Sequence, residues 1–358
     1  MTGWGDSLGS FGRKVTLGLL LLAIPASPLL AMNNELCVEC HTMHYSQGGG
    51  VLSEWGSEGP YTALLTTDCL GCHTGVNMSG GTTPFVFSTP DVPVYQTTGT
   101  EAGSNTLAGG NFYWVATVDN NRGHNVLGVG GLDTLTSPPG FTGTSAAADG
   151  SIPGNGSWPA GQRVTCAGLY GCHGTHTETV MTSAVRGGHH MGASGAISTP
   201  GTTPAEGYRM LVGIAGYEDS DWEFQPTTTA HNQYHGDTAK TDATISSLCG
   251  RCHGNFHSGT GISSPWIRHP VDYDMGATGP ASEYRSYGGT GINAYVLAAP
   301  VASDLVSSVK ATVTFSGDTI VTCISCHRAH GSPYYKMLRW DYAGSISTGC
   351  AYCHTSKD

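Results

Sequence analysis

ELCVECHTMHYSQGG, residues 35–49, sets two cysteines and two histidines within eight positions: Cys37, Cys40, His41 and His44. The first three form Cys-x-x-Cys-His, a spacing that lets two thiols reach the two vinyl groups of one porphyrin while the adjacent imidazole rises to its iron. The pentapeptide returns as CLGCH at 69–73, CGRCH at 249–253, CISCH at 323–327 and CAYCH at 350–354. A sixth segment, CAGLYGCH at 166–173, places five residues between its cysteines instead of two.

All twelve cysteines fall into these segments, as Cys37/Cys40, Cys69/Cys72, Cys166/Cys172, Cys249/Cys252, Cys323/Cys326 and Cys350/Cys353. The histidine after each second cysteine is a proximal ligand candidate: His41, His73, His173, His253, His327 and His354. One isolated CxxC reads equally well as a zinc or redox site, but the recurrence with histidine in place favours six covalent c-type haems. The wide Cys166–Cys172 segment keeps a disulfide or an unusual metal site as its alternative.

Upstream, Arg13 and Lys14 precede the apolar run Val15 to Ile24 and then small residues ending near Ala31. Residues 1–31 therefore read as a cleaved signal peptide and 32–358 as a single domain. The apolar run is shorter than the roughly 20 residues needed to span a bilayer, and no transmembrane segment is expected after cleavage. Export normally leads cysteines into disulfides, yet here none remains unassigned.

With 53 glycines and 11% charged residues, the chain is poorly equipped for a conventional aliphatic core. Large porphyrin faces would supply the missing apolar surface, so mostly coil with short helices and few short strands is expected around the haems. FYWVATV at 112–118 and VKATVTF at 309–315 are the candidate strands. The net charge of -11 excludes nucleic acid and anionic membrane surfaces as partners.

Sixteen histidines less the six proximal ones leave ten for the opposite faces of the irons. CHTMH, CHGTH, CHGNFH and CHRAH place His44, His176, His257 and His330 three or four residues after a proximal histidine. On a helix such neighbours share a face about 5 Å apart, so the second imidazole cannot reach the far side of the same iron and must serve another haem. His124, beside Gly123 in NRGHNV, and His269, beside Pro270 in IRHPV, complete a distal set of six. His189, His190, His231 and His235 are spare by this count, with surface or propionate contact as one reading and replacement of a chosen ligand as the other. Methionine ligation at Met43, Met78, Met181 or Met191 is less favoured, because these residues show no repeated relation to the sites.

CVECHTMHYSQGG, NRGHNVLG, CGRCHGNFHSG with the following IRHP, CISCHRAHGS and the closing CAYCHTSKD occur in an order that resembles the OmcS-type extracellular hexahaem c-type cytochromes of metal-reducing bacteria. The resemblance implies a coil-rich subunit built on a stacked chain of six bis-histidine haems, polymerised into a filament or nanowire. It implies further that His44 ligates a haem of the adjacent subunit, the one held by Cys323, Cys326 and His327, and that His124, His176, His257, His269 and His330 are distal ligands. Two stretches depart from the family pattern: the CAGLYGCH spacing, and residues 186–240.

Six-coordinate iron has no open position for a substrate, so the leading expectation is electron transfer without catalysis. Electrons would pass from periplasmic or outer-membrane cytochrome donors to extracellular acceptors such as metal oxides, electrodes or other cells. The alternatives are a monomeric periplasmic or outer-membrane-associated shuttle, and a multihaem reductase, which would need at least one vacant iron face.

Overall fold

The computed structural model describes residues 1–3, 40–41, 46–47, 50–51, 65, 67–89, 91–95, 105–131, 133–143, 156–190, 195–197, 201–240, 243–257, 268–279, 281–289, 293–344 and 346–356. Residues 4–31 of the expected signal peptide, Cys37 and His44 lie outside the described residues.

Regular structure is sparse and short. A two-residue hairpin pairs β1, Ser46–Gln47, with β2, Gly50–Val51. A six-stranded sheet is assembled from β3 (Gly195–Ile197), β4 (Gly216–Glu218), β5 (Gln233–His235), β6 (Tyr273–Asp274), β7 (Ala302–Ser303) and β8 (Ile320–Val321). Its spatial order is β3-β4-β5-β7-β8-β6. Only the β5/β7 pair is parallel, with Tyr234 opposite Ala302. Strands of two or three residues contribute few ladder hydrogen bonds, and this sheet is held by what packs on it.

Two apolar clusters do that packing. Tyr208, Leu211, Ile214, Tyr234, Ile245, Leu248, Ala302, Ile320 and Ile324 form one. Met275, Tyr287, Tyr295, Ala299, Val301, Val313 and Val321 form the other. Full burial of one such aliphatic side chain contributes about 1.5–3 kcal/mol, so a small sheet suffices as a scaffold. Among the described residues no helix is long and apolar enough to cross a membrane.

Helices α1 (Cys69–His73), α2 (Tyr113–Thr117), α3 (Met181–Ala184), α4 (Ile245–Gly250), α5 (Gly254–His257), α6 (Cys323–Cys326) and α7 (Ile346–Cys350) are each one to two turns long. Four of them carry attachment cysteines or lead into them, as the pentapeptide spacing suggested. Local capping explains where they begin. Asp68 accepts the Gly71 N–H at 3.0 Å ahead of α1, and Thr244 accepts the Ser247 N–H at 3.0 Å ahead of α4.

The two candidate strands are not strands. Residues 112–118 instead contain α2, because Asn111 Oδ1 accepts the Tyr113 N–H at 2.9 Å and starts a turn. One face of that turn buries Val115. Within 309–315 only Thr312 makes a bridge, to Ala294. The alternation of apolar residues there reflects burial of Val313 in a cluster, not pairing along an edge.

Candidate functional site

A continuous cavity of ≈ 2410 Å³ runs through the described part of the chain and is lined by residues of five attachment segments. That is well beyond the roughly 300–1,000 Å³ of a site for one small molecule. His41, His73, His173, His253 and His327 all line it, as do His124, His189, His190, His269 and His330.

Within it the imidazoles face one another in pairs. The ring centroids are 5.9 Å apart for His41 and His190 and 6.2 Å for His73 and His189. They are 6.4 Å apart for His173 and His330 and 6.0 Å for His253 and His124. His354 and His269, at the last segment, are 6.2 Å apart. Each pair joins a histidine that follows a cysteine to one that does not. Two metal–nitrogen bonds of about 2 Å plus the inner halves of two rings come to about 6 Å, so this separation fits one metal ion between two imidazoles. Among the described residues His327 faces no second histidine.

Tautomers follow from the hydrogen bonds. A carbonyl oxygen only accepts, so an Nδ1 bonded to one carries the proton and Nε2 keeps its lone pair. His73 donates from Nδ1 to the Pro84 carbonyl at 2.8 Å, His173 to Arg209 at 3.0 Å and His253 to Pro139 at 2.7 Å. His327 donates likewise to Lys336 at 2.9 Å, and His354 to the Glu283 carboxylate at 3.3 Å. On the opposite faces His124 donates to the Ala329 carbonyl at 2.6 Å, and His269 to that of Pro270 at 2.9 Å. Burial favours the neutral form of two of the facing rings: it pushes His253 down to about 4, helped by His124, and His330 down to about 3, helped by His173. A neutral imidazole with a free Nε2 is the form that binds metal.

Two residues of the expected distal set sit differently. His176 is fully buried, and its Nε2 donates to the Cys172 carbonyl at 3.1 Å. His257 donates from Nε2 to Asp272 Oδ2 at 2.8 Å, both side chains buried. In each case Nε2 carries a proton. The facing positions belong instead to His189 and His190, which counting had left spare. Of the other spares, His231 stacks on Tyr295 at 3.8 Å, and His235 lies in β5. The missed signal was the His-His dipeptide itself, since adjacent residues at the end of a short turn can serve two neighbouring groups. At Gly123, beside His124, a side chain would strike the main chain of His330.

Three of the strict segments share one backbone closure. The histidine N–H donates to the first cysteine's carbonyl at 2.9 Å in His253/Cys249, 3.0 Å in His327/Cys323 and 2.8 Å in His354/Cys350. CAGLYGCH makes the same bond, His173 N–H to Cys166 O at 3.0 Å, with the added residues bulged out. A second repeat was hidden in the sequence as YRML at 208–211 and YKML at 335–338. Arg209 and Met210, and likewise Lys336 and Met337, adopt left-handed backbone with φ of 51° and 59°, and 55° and 52°. Each turn offers the basic residue's carbonyl to a proximal histidine. Each then accepts the N–H of the following residue, Gly174 at 2.7 Å to Met210 and Arg328 at 2.9 Å to Met337.

Consecutive segments also touch. His189 and His190 join the first two, and the thiols of Cys69 and Cys166 are hydrogen-bonded neighbours. Arg251 of the fourth reaches the third at Gly171, and the Cys249 thiol lies within hydrogen-bonding reach of the free thiol of Cys323. Burial, followed by the nearby Cys353 and Cys350, pushes the Cys326 thiol up to about 12. The attachment segments thus follow one another in space in the order they hold in the chain.

Cysteine-flanked imidazole pairs lining one cavity define a c-type cytochrome with several haems. A family model described as a doubled CXXCH motif matches residues 316–358. The chain is 27% identical over 399 residues to the C-type cytochrome OmcS of Geobacter sulfurreducens, covering 94% of this chain and 87% of that protein. The chain is thus similar to a C-type cytochrome over most of its length, and its cysteine segments are of the kind that bind haem c covalently. Two solved structures are also similar. An Outer Membrane Cytochrome S filament from Geobacter sulfurreducens gives a TM-score of 0.45 at 21% identity, over 87% of this chain and 84% of that one. OmcS nanowires from the same organism give 0.47 at 22%, over 86% and 84%.

Proposed function

We propose that this chain is an extracellular electron carrier with six bis-histidine haems, assembled into a homopolymer. The thioether cysteines are the six pairs named above. The proximal ligands are His41, His73, His173, His253, His327 and His354. The distal ligands in the same order are His190, His189, His330, His124, His44 of a neighbouring copy, and His269. Bound haem supplies a reversible one-electron centre. The protein fixes the spacing of the centres, keeps water from the cavity and tunes each imidazole through its Nδ1 hydrogen bond.

One observation carries the reading: five facing histidine pairs, with His327 left facing none among the described residues. His44 lies outside those residues, and its assignment rests on this remainder together with the resemblance of its segment to the OmcS type. With both faces of each iron held by imidazole no coordination site is open, which favours electron transfer over catalysis. Donors are periplasmic or outer-membrane cytochromes, and acceptors are extracellular metal oxides, electrodes or other cells.

His44→Ala tests this directly. The expected product is a folded subunit with one high-spin haem, at Cys323/Cys326, and no polymer by negative-stain microscopy. A variant that polymerises normally with all haems low-spin sinks the bridging assignment. A wild-type chain that stays monomeric with one high-spin haem points to the shuttle.

A further inference from the structure

We propose that Arg251, inside the fourth attachment segment, is a positioning residue for the third: it holds the long Cys166–Cys172 loop in the shape that lets both thiols reach one porphyrin. The inference rests on the reading that Cys166 and Cys172 carry haem.

The loop's backbone can be followed carbonyl by carbonyl. Ala167 O accepts from the Thr165 hydroxyl at 2.8 Å. Gly168 O accepts from the Gly171 N–H at 2.9 Å, and Tyr170 O from the Thr165 N–H at 3.0 Å. The remaining two, Leu169 O and Gly171 O, accept from the two terminal nitrogens of Arg251 at 2.9 and 2.7 Å. Arg251 is 1% exposed. A buried guanidinium is retained where its planar fork meets two acceptors at once, which the single point charge of lysine cannot reproduce.

The chemistry explains why a clamp is needed. Each thioether forms when a cysteine S–H adds across a vinyl C=C, sulfur to one carbon and hydrogen to the other, with no electrons lost. The two vinyls are a fixed distance apart, and two intervening residues in a helical turn hold two thiols to it. Five residues would sample many spacings. Arg251 ties the loop's far side to the neighbouring segment, while the His173 N–H bond to Cys166 O closes its base.

The test maps haem site by site, by peptide mass spectrometry of the full-length chain matured in a host that makes c-type cytochromes. In R251A the peptide with Cys166 and Cys172 is expected to lose attached haem severalfold, while the peptide with Cys249 and Cys252, next to the substitution, keeps its own. R251K is expected to fall between. Deleting Gly168 to Tyr170, which leaves two residues between the cysteines, is expected to restore attachment in the R251A background, since a strict segment needs no clamp. Full occupancy of the third site in R251A, equal loss at the fourth, or no rescue by the deletion each overturns the proposal. If R251A does not accumulate, R251K and the deletion variant carry the same comparison. A wild-type chain with free thiols at Cys166 and Cys172 removes the attachment reading first.

Discussion

The third and fifth attachment segments, CAGLYGCH and CISCH, differ in every residue between their cysteines and yet end in the same local geometry. Both close a cysteine carbonyl onto the histidine N–H at 3.0 Å. Both lean on a left-handed turn, Arg209–Met210 in one and Lys336–Met337 in the other, whose carbonyl accepts the hydrogen bond from the imidazole Nδ1–H. Cysteine spacing is therefore not what these sites hold constant. What is constant is the relation of first cysteine, histidine and acceptor carbonyl, and a loop of any length serves if something holds it. The sites part on the other face: His330 stands opposite His173, whereas His327 has no facing histidine among the described residues. One site is completed within the chain, and on our proposal the other is completed by a second copy.

The sharpest way to break the comparison is on that other face. His330→Ala is expected to turn one low-spin haem, the third, into a high-spin centre, read by electron paramagnetic resonance. His176→Ala is expected to leave every haem low-spin, despite its place in CHGTH. A high-spin signal from His176→Ala would return that residue to the ligand set.

The shared turn comes next. Valine at Arg209 or at Lys336 puts a β-branched residue where φ is positive, a conformation it tolerates less well than arginine or lysine, and displaces the acceptor carbonyl. Losing that hydrogen bond makes the imidazole a poorer donor to iron, so the reduction potential of one haem is expected to rise: the third for Arg209→Val, the fifth for Lys336→Val. Spectroelectrochemistry separates them, and an unmoved potential in both would confine the turn to a packing role.

The smallest effect distinguishes what supports each turn. Arg209 is framed by buried acids: its backbone N–H donates to Glu218, its guanidinium to the Asp219 carbonyl and to Asn232 at 3.0 Å. Burial, and a hydrogen bond shared with Asp221, push the Asp219 carboxyl up to about 7. The unfolded carboxyl ionises near pH 4 while the folded one holds its proton, so this support is full in acid and weakens as pH rises towards 7. Hydrogen exchange around residues 208–221 is expected to quicken over that range, corrected for intrinsic rates, and that around 335–340 is not. Asp219→Asn is expected to flatten the difference, and an unchanged profile would remove Asp219 from the account.

Much of this was legible in the chain. The cysteine segments, coil-rich build and surplus of histidines follow from local spacing and composition. The candidate strands at 112–118 and 309–315 failed because apolar alternation in two-residue-scale structure reports burial, and α2 is started by a single asparagine. His176 and His257 looked like bridges because helical spacing says which residues share a face, and not what a ring meets once there. For both the ring meets a nearer acceptor, the Cys172 carbonyl and the Asp272 carboxylate.

The sequence by itself determined which thiols and imidazoles stand together as attachment segments, because two thiols and an imidazole that act on one group are neighbours along the backbone. Which imidazole stands opposite which was decided only in three dimensions. Facing depends on carbonyls far away in the chain, 205 residues off for His124 and 114 for His253. Those distant oxygens fix the proton on Nδ1 and leave Nε2 free.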